Sequence, residues 1–357
     1  MKLQVLSPGM LTTIQDLGRW GYQGKGMPVA GAMDGFSLQA GNLLLGNHRN
    51  LAALEITVLG PALSVKEGQG VICLSGAELD FHINNEKVPA WTALKVKEGD
   101  TISAGASAGK GARAYLCVSG GFDVPLVMGS RSTYLRAGIG GLEGRPLKKG
   151  DILSTGPNVS LWERSEGFIC PQNLRPSYGK DEPLRAVMGP QDDLFTKEGI
   201  DTFLHSEYTI SNNADRMGYR MDGPYVEHAE GADIVSDAIP PGSIQVPGHG
   251  QPIVMLADRQ TTGGYTKIAV LAKSDIYALS QKLPGQKVHF RSATFEEAIA
   301  IAKKEEQKLR EIDLARASYR SRCKISVPSL SKGTWSVTIN GKSHEVSWEV
   351  MDQKKGE

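Results

Sequence analysis

Ala114-Tyr115-Leu116-Cys117-Val118-Ser119-Gly120-Gly121 is a run of five apolar residues that stops at a serine and two glycines. A run of that length, cut off by a glycine turn, predicts a strand. Working outward, Val71-Ile72-Cys73-Leu74 and Ala93-Leu94-Lys95-Val96 show the same strand-and-turn spacing on the N-terminal side. Leu184-Arg185-Ala186-Val187-Met188, Ile244-Gln245-Val246, Pro252-Ile253-Val254-Met255-Leu256 and Lys287-Val288-His289-Phe290 continue it on the C-terminal side. The chain therefore predicts a mainly β protein. Glycine supplies the turns: 42 of 357 residues, about 12% against a usual ~7%, with no collagen-like period.

Two interruptions are helical. Phe36, Leu38, Ala40, Leu43 and Leu44 suit a short helix ended by Gly46-Asn47, expected to plug the first β unit. Thr294-Phe295-Glu296-Glu297 is a capping box that opens a long helix, with Phe295, Ala298, Ile299, Ile301 and Ala302 on or near one face. The polar, proline-bearing stretch 162–183 reads as a connection. These signals predict a first β unit over 1–165, a second over 184–305, and a helix extension with a hairpin tail over 306–357. In the tail, Asn340-Gly341 between Trp335, Val337, Ile339 and Val346, Trp348, Val350 is a two-residue hairpin signal.

Lysine plus arginine (40) nearly cancels aspartate plus glutamate (39), so no global field draws the chain to nucleic acid or an anionic membrane. Cys73, Cys117, Cys170 and Cys323 are scattered, which argues against a disulfide framework and a cysteine zinc site. Pro8 and Gly9 break the amino terminus before an apolar signal segment can form, and no later stretch approaches eighteen apolar residues. A cytoplasmic location with no membrane span is expected.

Several chemistries are absent at the motif level. Gly105 to Gly111 is one residue short of a P-loop, and Glu143 replaces the third glycine of a dinucleotide fingerprint. The histidines show no ligand spacing, so no metal is expected, and Ser119 lacks a placed base. The densest polar constellation is Asp258-Arg259-Gln260-Thr261-Thr262-Gly263-Gly264-Tyr265, directly after the strand Ile253 to Leu256. A carboxylate, a guanidinium, a carboxamide and two hydroxyls leave one strand end together, a pattern that suits anion binding or carbonyl polarisation. The same residues also suit a solvated loop in which Asp258 caps Thr261 or Thr262. Asp215-Arg216-Met217-Gly218-Tyr219-Arg220 either presents its arginines to a carboxylate or phosphate or folds as an Asx turn whose arginines hold Asp215. Gly129-Ser130-Arg131-Ser132-Thr133 and Thr12 to Arg19 are similar polar turns in the first unit.

Taken with Gly31-Ala32-Met33-Asp34, Leu54-Glu55-Ile56-Thr57 and Ile244-Gln245-Val246-Pro247, these segments resemble the KipA, or allophanate hydrolase subunit 2-like, family, also called the biotin-dependent carboxyltransferase family. The match runs in order from about residue 3 to about 305. Ala214 departs from it, standing where relatives often carry Ser. The resemblance implies two cyclophilin-like β-barrel units and a KipI-like partner, the B component of a 5-oxoprolinase complex. Together with the A and B components it implies ATP-dependent opening of 5-oxoproline to glutamate, ATP being a co-substrate of the complex. Alternatives are a carboxyltransferase component of a urea carboxylase-like system and a regulator that binds a KipI-like kinase inhibitor. The hairpin tail looks like the start of a biotin carrier domain, but no Ala-Met-Lys-Met motif follows, so biotin would arrive only on a separate carrier. In this reading Asp258, Arg259 and Gln260 are the expected catalytic residues. Arg216, Asp215, Gln245, Thr261, Tyr265, Asp34 and Arg131 are the expected substrate contacts.

Overall fold

The computed structural model describes residues 1–107, 109–157, 165–179, 181–322, 332–339 and 342–349. The chain forms two compact units, Met1–Arg320 and Ser321–Glu357. Strand dominates, as the glycine-punctuated apolar runs predict.

The first half of the larger unit is a pair of facing antiparallel sheets. One has six strands in the order Ile152–Ser154, Lys2–Ser7, Ala62–Glu67, Thr101–Ser107, Leu79–Ile83, Glu86–Lys87. The other has five, Leu11–Gln15, Ala53–Thr57, Arg113–Val118, Gln69–Gly76, Leu94–Lys97. Leu3, Val5 and Phe81 from the first sheet meet Leu54, Ile56, Leu74 and Leu116 from the second in one core. Alternation then sends Tyr115, Cys117, Val71 and Cys73 to the opposite face of the five-stranded sheet, into a second core. Both faces of this strand are thus covered, and for that reason its sequence is apolar from Ala114 to Val118 instead of alternating.

Helix α1 (Gly35–Leu44) supplies that second cover. It lies on the outer face of the five-stranded sheet and does not plug the space between the sheets: Phe36, Leu38, Ala40 and Leu44 pack with Tyr115 and Cys117. Gly41 sets the approach, since a Cβ there would sit 2.5 Å from Ser75 Oγ and 2.7 Å from Cys117 Sγ. Cys73 and Cys117 are fully buried, and burial pushes both thiols well up, so they serve as small apolar residues.

The second half closes into a seven-stranded barrel: Leu184–Met188, Lys267–Leu271, Ser243–Gln245, Ile253–Met255, Gly218–Asp222, Glu207–Ile210, Lys287–Ser292. Closure comes from parallel pairing of Leu184 to Ala186 with Phe290 to Ser292. Barrel closure is realised in this half, while the first half keeps its two sheets separate. Helices α2 (Lys197–His205) and α3 (Lys273–Ser280) belong to the barrel segment. Strands Asp233–Ala238 and Thr262–Tyr265 pair with each other as a separate ribbon.

Helix α4 (Phe295–Arg322) runs unbroken through 305/306, where the sequence placed a boundary. Half of the capping box forms: Glu297 N donates to Thr294 Oγ1 at 3.1 Å, while the Glu297 carboxylate pairs with Arg291. The helix returns to the first half, burying Leu309 and Ile312 beside α1 and pairing Glu306 with Arg49 at 2.9 Å. The hairpin Lys332–Ile339/Lys342–Glu349 is in register from Lys332↔Glu349 to Ile339↔Lys342. The expected Asn340-Gly341 turn, Val350 and Cys323 lie outside the described residues. No described helix is long and apolar enough to cross a membrane.

Glu305 on α4 faces Asp34, Lys273, Asp275 and Lys308, and burial followed by repulsion from Asp34 pushes its carboxyl up to about 7. A folded-state pKa above the unfolded one stabilises the fold at low pH and loses that contribution as pH rises through about 7. Melting temperature should therefore fall between pH 5 and pH 8, by an amount on the order of 1 kcal/mol in stability after solvent screening. Glu305→Gln should flatten that fall, as thermal melts across the range will show.

Candidate functional site

The turn Asp215-Arg216-Met217-Gly218 is an Asx turn: Asp215 Oδ1 accepts from Met217 N at 2.7 Å and Gly218 N at 3.2 Å. Asp215 is exposed and spent on this turn, which directs Arg216 inward. The Arg216 guanidinium donates from Nε to Asp258 Oδ2 at 3.0 Å and from Nη2 to Asp258 Oδ1 at 2.9 Å. Its Nη2 also reaches Gly31 O at 2.6 Å, and its Nη1 meets Glu55 Oε1. Glu55 is on the first-half strand Ala53–Thr57, and its other oxygen accepts from Met33 N and the Tyr115 hydroxyl, each at 2.8 Å. Arg216, Glu55 and Asp258 are all buried. Burial opposes the charge on Arg216, but Asp258 and Glu55 outweigh it and hold the guanidinium above its usual pKa. The arginine and carboxylate expected to face substrate instead face each other, and Glu55, absent from the expected site, completes the set.

Arg259 points elsewhere. Its Nε donates to Ile239 O at 2.9 Å and its Nη1 to Leu256 O at 3.1 Å. No carboxylate pairs with it among the described residues, it is 6% exposed, and burial pushes its pKa down to about 10. It lines a cavity of about 400 Å³ between the barrel and the first half, walled by Leu17, Trp20, Met33, Ile276 and Tyr277 among others. Tyr277 also lines a second cleft, of about 560 Å³, on whose wall Asp34 sits. Gly35 lines the first of these and sits close against Tyr277, since a Cβ there would fall 2.9 Å from the Tyr277 hydroxyl.

Asp34 is the N-cap of α1, accepting from Ser37 N at 3.0 Å, and takes further hydrogen bonds at 2.8 Å from Ser37 Oγ, Tyr178 OH and Gln281 Nε2. Burial pushes its carboxyl up. Gln281 continues to Ala112 N, Arg113 N and Arg113 O, tying the segment after α3 to the first half. Gln260 and Thr261 are partly exposed at the root of the ribbon, and Tyr265 on the ribbon is 43% exposed. Gln245 is buried, its Nε2 donating to Tyr265 O at 3.4 Å. Arg131 lies apart, donating to Val124 O at 3.0 Å and lining a different cavity with Asp123 and His48. Its backbone N and the Ser130 and Ser132 hydroxyls all bond Asp16, so the Thr12–Arg19 and Gly129–Thr133 turns form one structural knot. Ala214 packs against the barrel core, leaving no hydroxyl at that position.

The ten expected residues therefore divide. Arg216 and Asp258 are joined, Gln245, Gln260, Thr261 and Tyr265 gather at the ribbon, Arg259 faces the cavity, and Asp215, Asp34 and Arg131 hold local structure. Glu55 was legible as the one charge in Ala53-Leu54-Glu55-Ile56, an apolar strand. Trp20, Lys273 and Tyr277 carried no local signal, since a tertiary contact alone brings them to Arg259.

Residues 25–292 match the carboxyltransferase domain, subdomain A and B. The chain is 40% identical over 297 residues to the 5-oxoprolinase C subunit of Escherichia coli, covering 83% of this chain and 93% of that protein. It is 38% identical over 304 residues to the 5-oxoprolinase C subunit of Haemophilus influenzae, covering 85% of this chain and 95% of that one. Among solved structures, the Kluyveromyces lactis urea amidolyase superposes with a TM-score of 0.81 at 29% identity, over 87% of this chain and 20% of the larger one.

Breaking the buried pair from one side leaves a carboxylate without its cation. Arg216→Ala should cost roughly 3–5 kcal/mol of stability, whereas Asp215→Ala should cost only the ~1 kcal/mol of a lost turn. Chemical denaturation of the two variants measures both.

Proposed function

The chain belongs to the carboxyltransferase domain family, subdomain A and B, and on that footing we propose that it is the C subunit of an ATP-dependent 5-oxoprolinase. The observation that carries this reading is coverage. The chain matches two 5-oxoprolinase C subunits over 93% and 95% of their length but only a fifth of the urea amidolyase. It acts with a KipI-like B component and an A component. The chain has no P-loop, so the ATP of the complex is assigned to a partner, and the chain is inactive alone.

In the overall reaction, water opens the lactam: its oxygen joins the ring carbonyl carbon, the C–N bond breaks, and the nitrogen becomes the amine of glutamate while ATP is hydrolysed. The exposed part of the 258–265 turn supplies hydrogen bonds to the substrate, from the Gln260 carboxamide, the Thr261 hydroxyl and Tyr265. Donors at a carbonyl whose oxygen gains negative charge favour the transition state. Arg216, Asp258 and Glu55 act as positioning residues that fix where this turn begins, and Arg259 is the cation turned toward bound ligand. A carboxyltransferase component is the second reading, favoured by the family to which the chain belongs; it requires a separate biotin carrier.

Glutamate release from 5-oxoproline and ATP, measured for the chain alone and for the reconstituted three-component complex, decides the matter. Activity only in the complex is expected, and carboxyl transfer from a biotin carrier without glutamate release would favour the second reading. Gln260→Ala should lower kcat of the complex roughly tenfold to a hundredfold with little change in melting temperature.

A further inference from the structure

Arg259 is nine-tenths buried, yet its only hydrogen-bond partners among the described residues are the carbonyls of Ile239 and Leu256. Its Nη2 donates to no described group, and the side chain lines the cavity. A guanidinium held in such surroundings with no counter-ion is costly unless an anion completes it. Lys273, the first residue of α3, adds a second cation to the lining of the same cavity. The remaining walls are largely apolar: Leu17, Val29, Met33, Leu256, Leu271 and Ile276.

We infer that this cavity is a binding site for a compact monocarboxylate, with the carboxylate on Arg259 and the apolar body against the Met33 and Ile276 walls. An apolar chamber with one planar guanidinium matches a carboxylate on a small ring, since the fork binds two oxygens in one plane. Inorganic phosphate offers no apolar body for the walls to bury. Naming 5-oxoproline as the physiological occupant rests on the function proposed above; the carboxylate preference does not.

The test is calorimetric titration of the full-length purified chain with 5-oxoproline, its carboxamide, cyclopentanecarboxylate and inorganic phosphate. Both carboxylates should bind, and the carboxamide should bind roughly 30-fold more weakly than 5-oxoproline, the loss expected for a charge-assisted pair. Arg259→Gln should abolish the difference between acid and amide, and Arg259→Lys should restore part of it. Should Arg259→Gln fail to fold, Ala257→Leu fills the cavity from another wall and should weaken both carboxylates together. Tighter binding of phosphate than of either carboxylate, or equal binding of acid and amide by the natural chain, overturns the inference. So do carboxylate affinities that neither variant changes. Arg259-dependent binding of cyclopentanecarboxylate alone, beside a complex that releases no glutamate, would sustain the site and overturn the substrate.

Discussion

The Arg216 guanidinium is shared by two carboxylates that arrive from different parts of the fold, Asp258 from the barrel segment and Glu55 from the five-stranded sheet. A single buried cation facing two buried anions is stable only when every remaining polar atom is met. The structure meets that condition through Gly31 O on the arginine and through Met33 N and Tyr115 OH on Glu55. Each of those partners fixes something else. Gly31 and Met33 belong to the segment that leads into α1, and the Tyr115 hydroxyl accepts from the backbone N of Asp34, the cap of that helix. The ion triad, the start of α1 and the strand carrying Glu55 thus hold one another in place.

A second tie, without an ion pair, runs parallel to it. Gln281, after α3, bonds Asp34 and three backbone groups of the strand region 112–113. Tyr277 lines both cavities, and α1 contributes Phe36 to one and Gly35 to the other. The barrel and the sheet pair therefore meet along a seam that mixes these polar ties with apolar contacts, since Met33 joins the barrel cluster and Tyr277 packs on the cluster around α1. A seam of hydrogen-bonded groups with unfilled space beside it is a natural place for small ligands, because some polar atoms already face inward and water need not be expelled from a packed core.

The Asp258–Tyr265 segment shows how one polar run serves both structure and chemistry. Consecutive residues leaving a strand end diverge: Asp258 turns to Arg216, Arg259 turns to the cavity, and Thr262 to Tyr265 pair with Asp233–Ala238. Its richness in functional groups thus has two origins. Removing Asp258 and removing Gln260 would disturb different things, the seam in one case and the hydrogen bonds offered at the ribbon root in the other.

The sequence by itself determined the mainly β character, the positions of α1 and α4, the presence of the hairpin and the family, because these depend on local periodicity, caps, turns and ordered motifs. The apolar run Ala114 to Val118 announced a strand, and Thr294 announced the start of α4 within one residue. The chain also announced which turns were rich in polar groups. It left open what those groups touch. The partner of Arg216 lies 42 positions away in Asp258 and 161 away in Glu55. Trp20 shares a cavity with Arg259 only because the sheet pair docks on the barrel, and Lys273 and Tyr277 reach it through folding within the barrel segment. Whether α1 plugs the sheets or covers them, and whether a half closes into a barrel, depended likewise on long-range pairing. Side-chain direction at a turn is set by contacts between distant segments, and no spacing within one segment encodes those contacts.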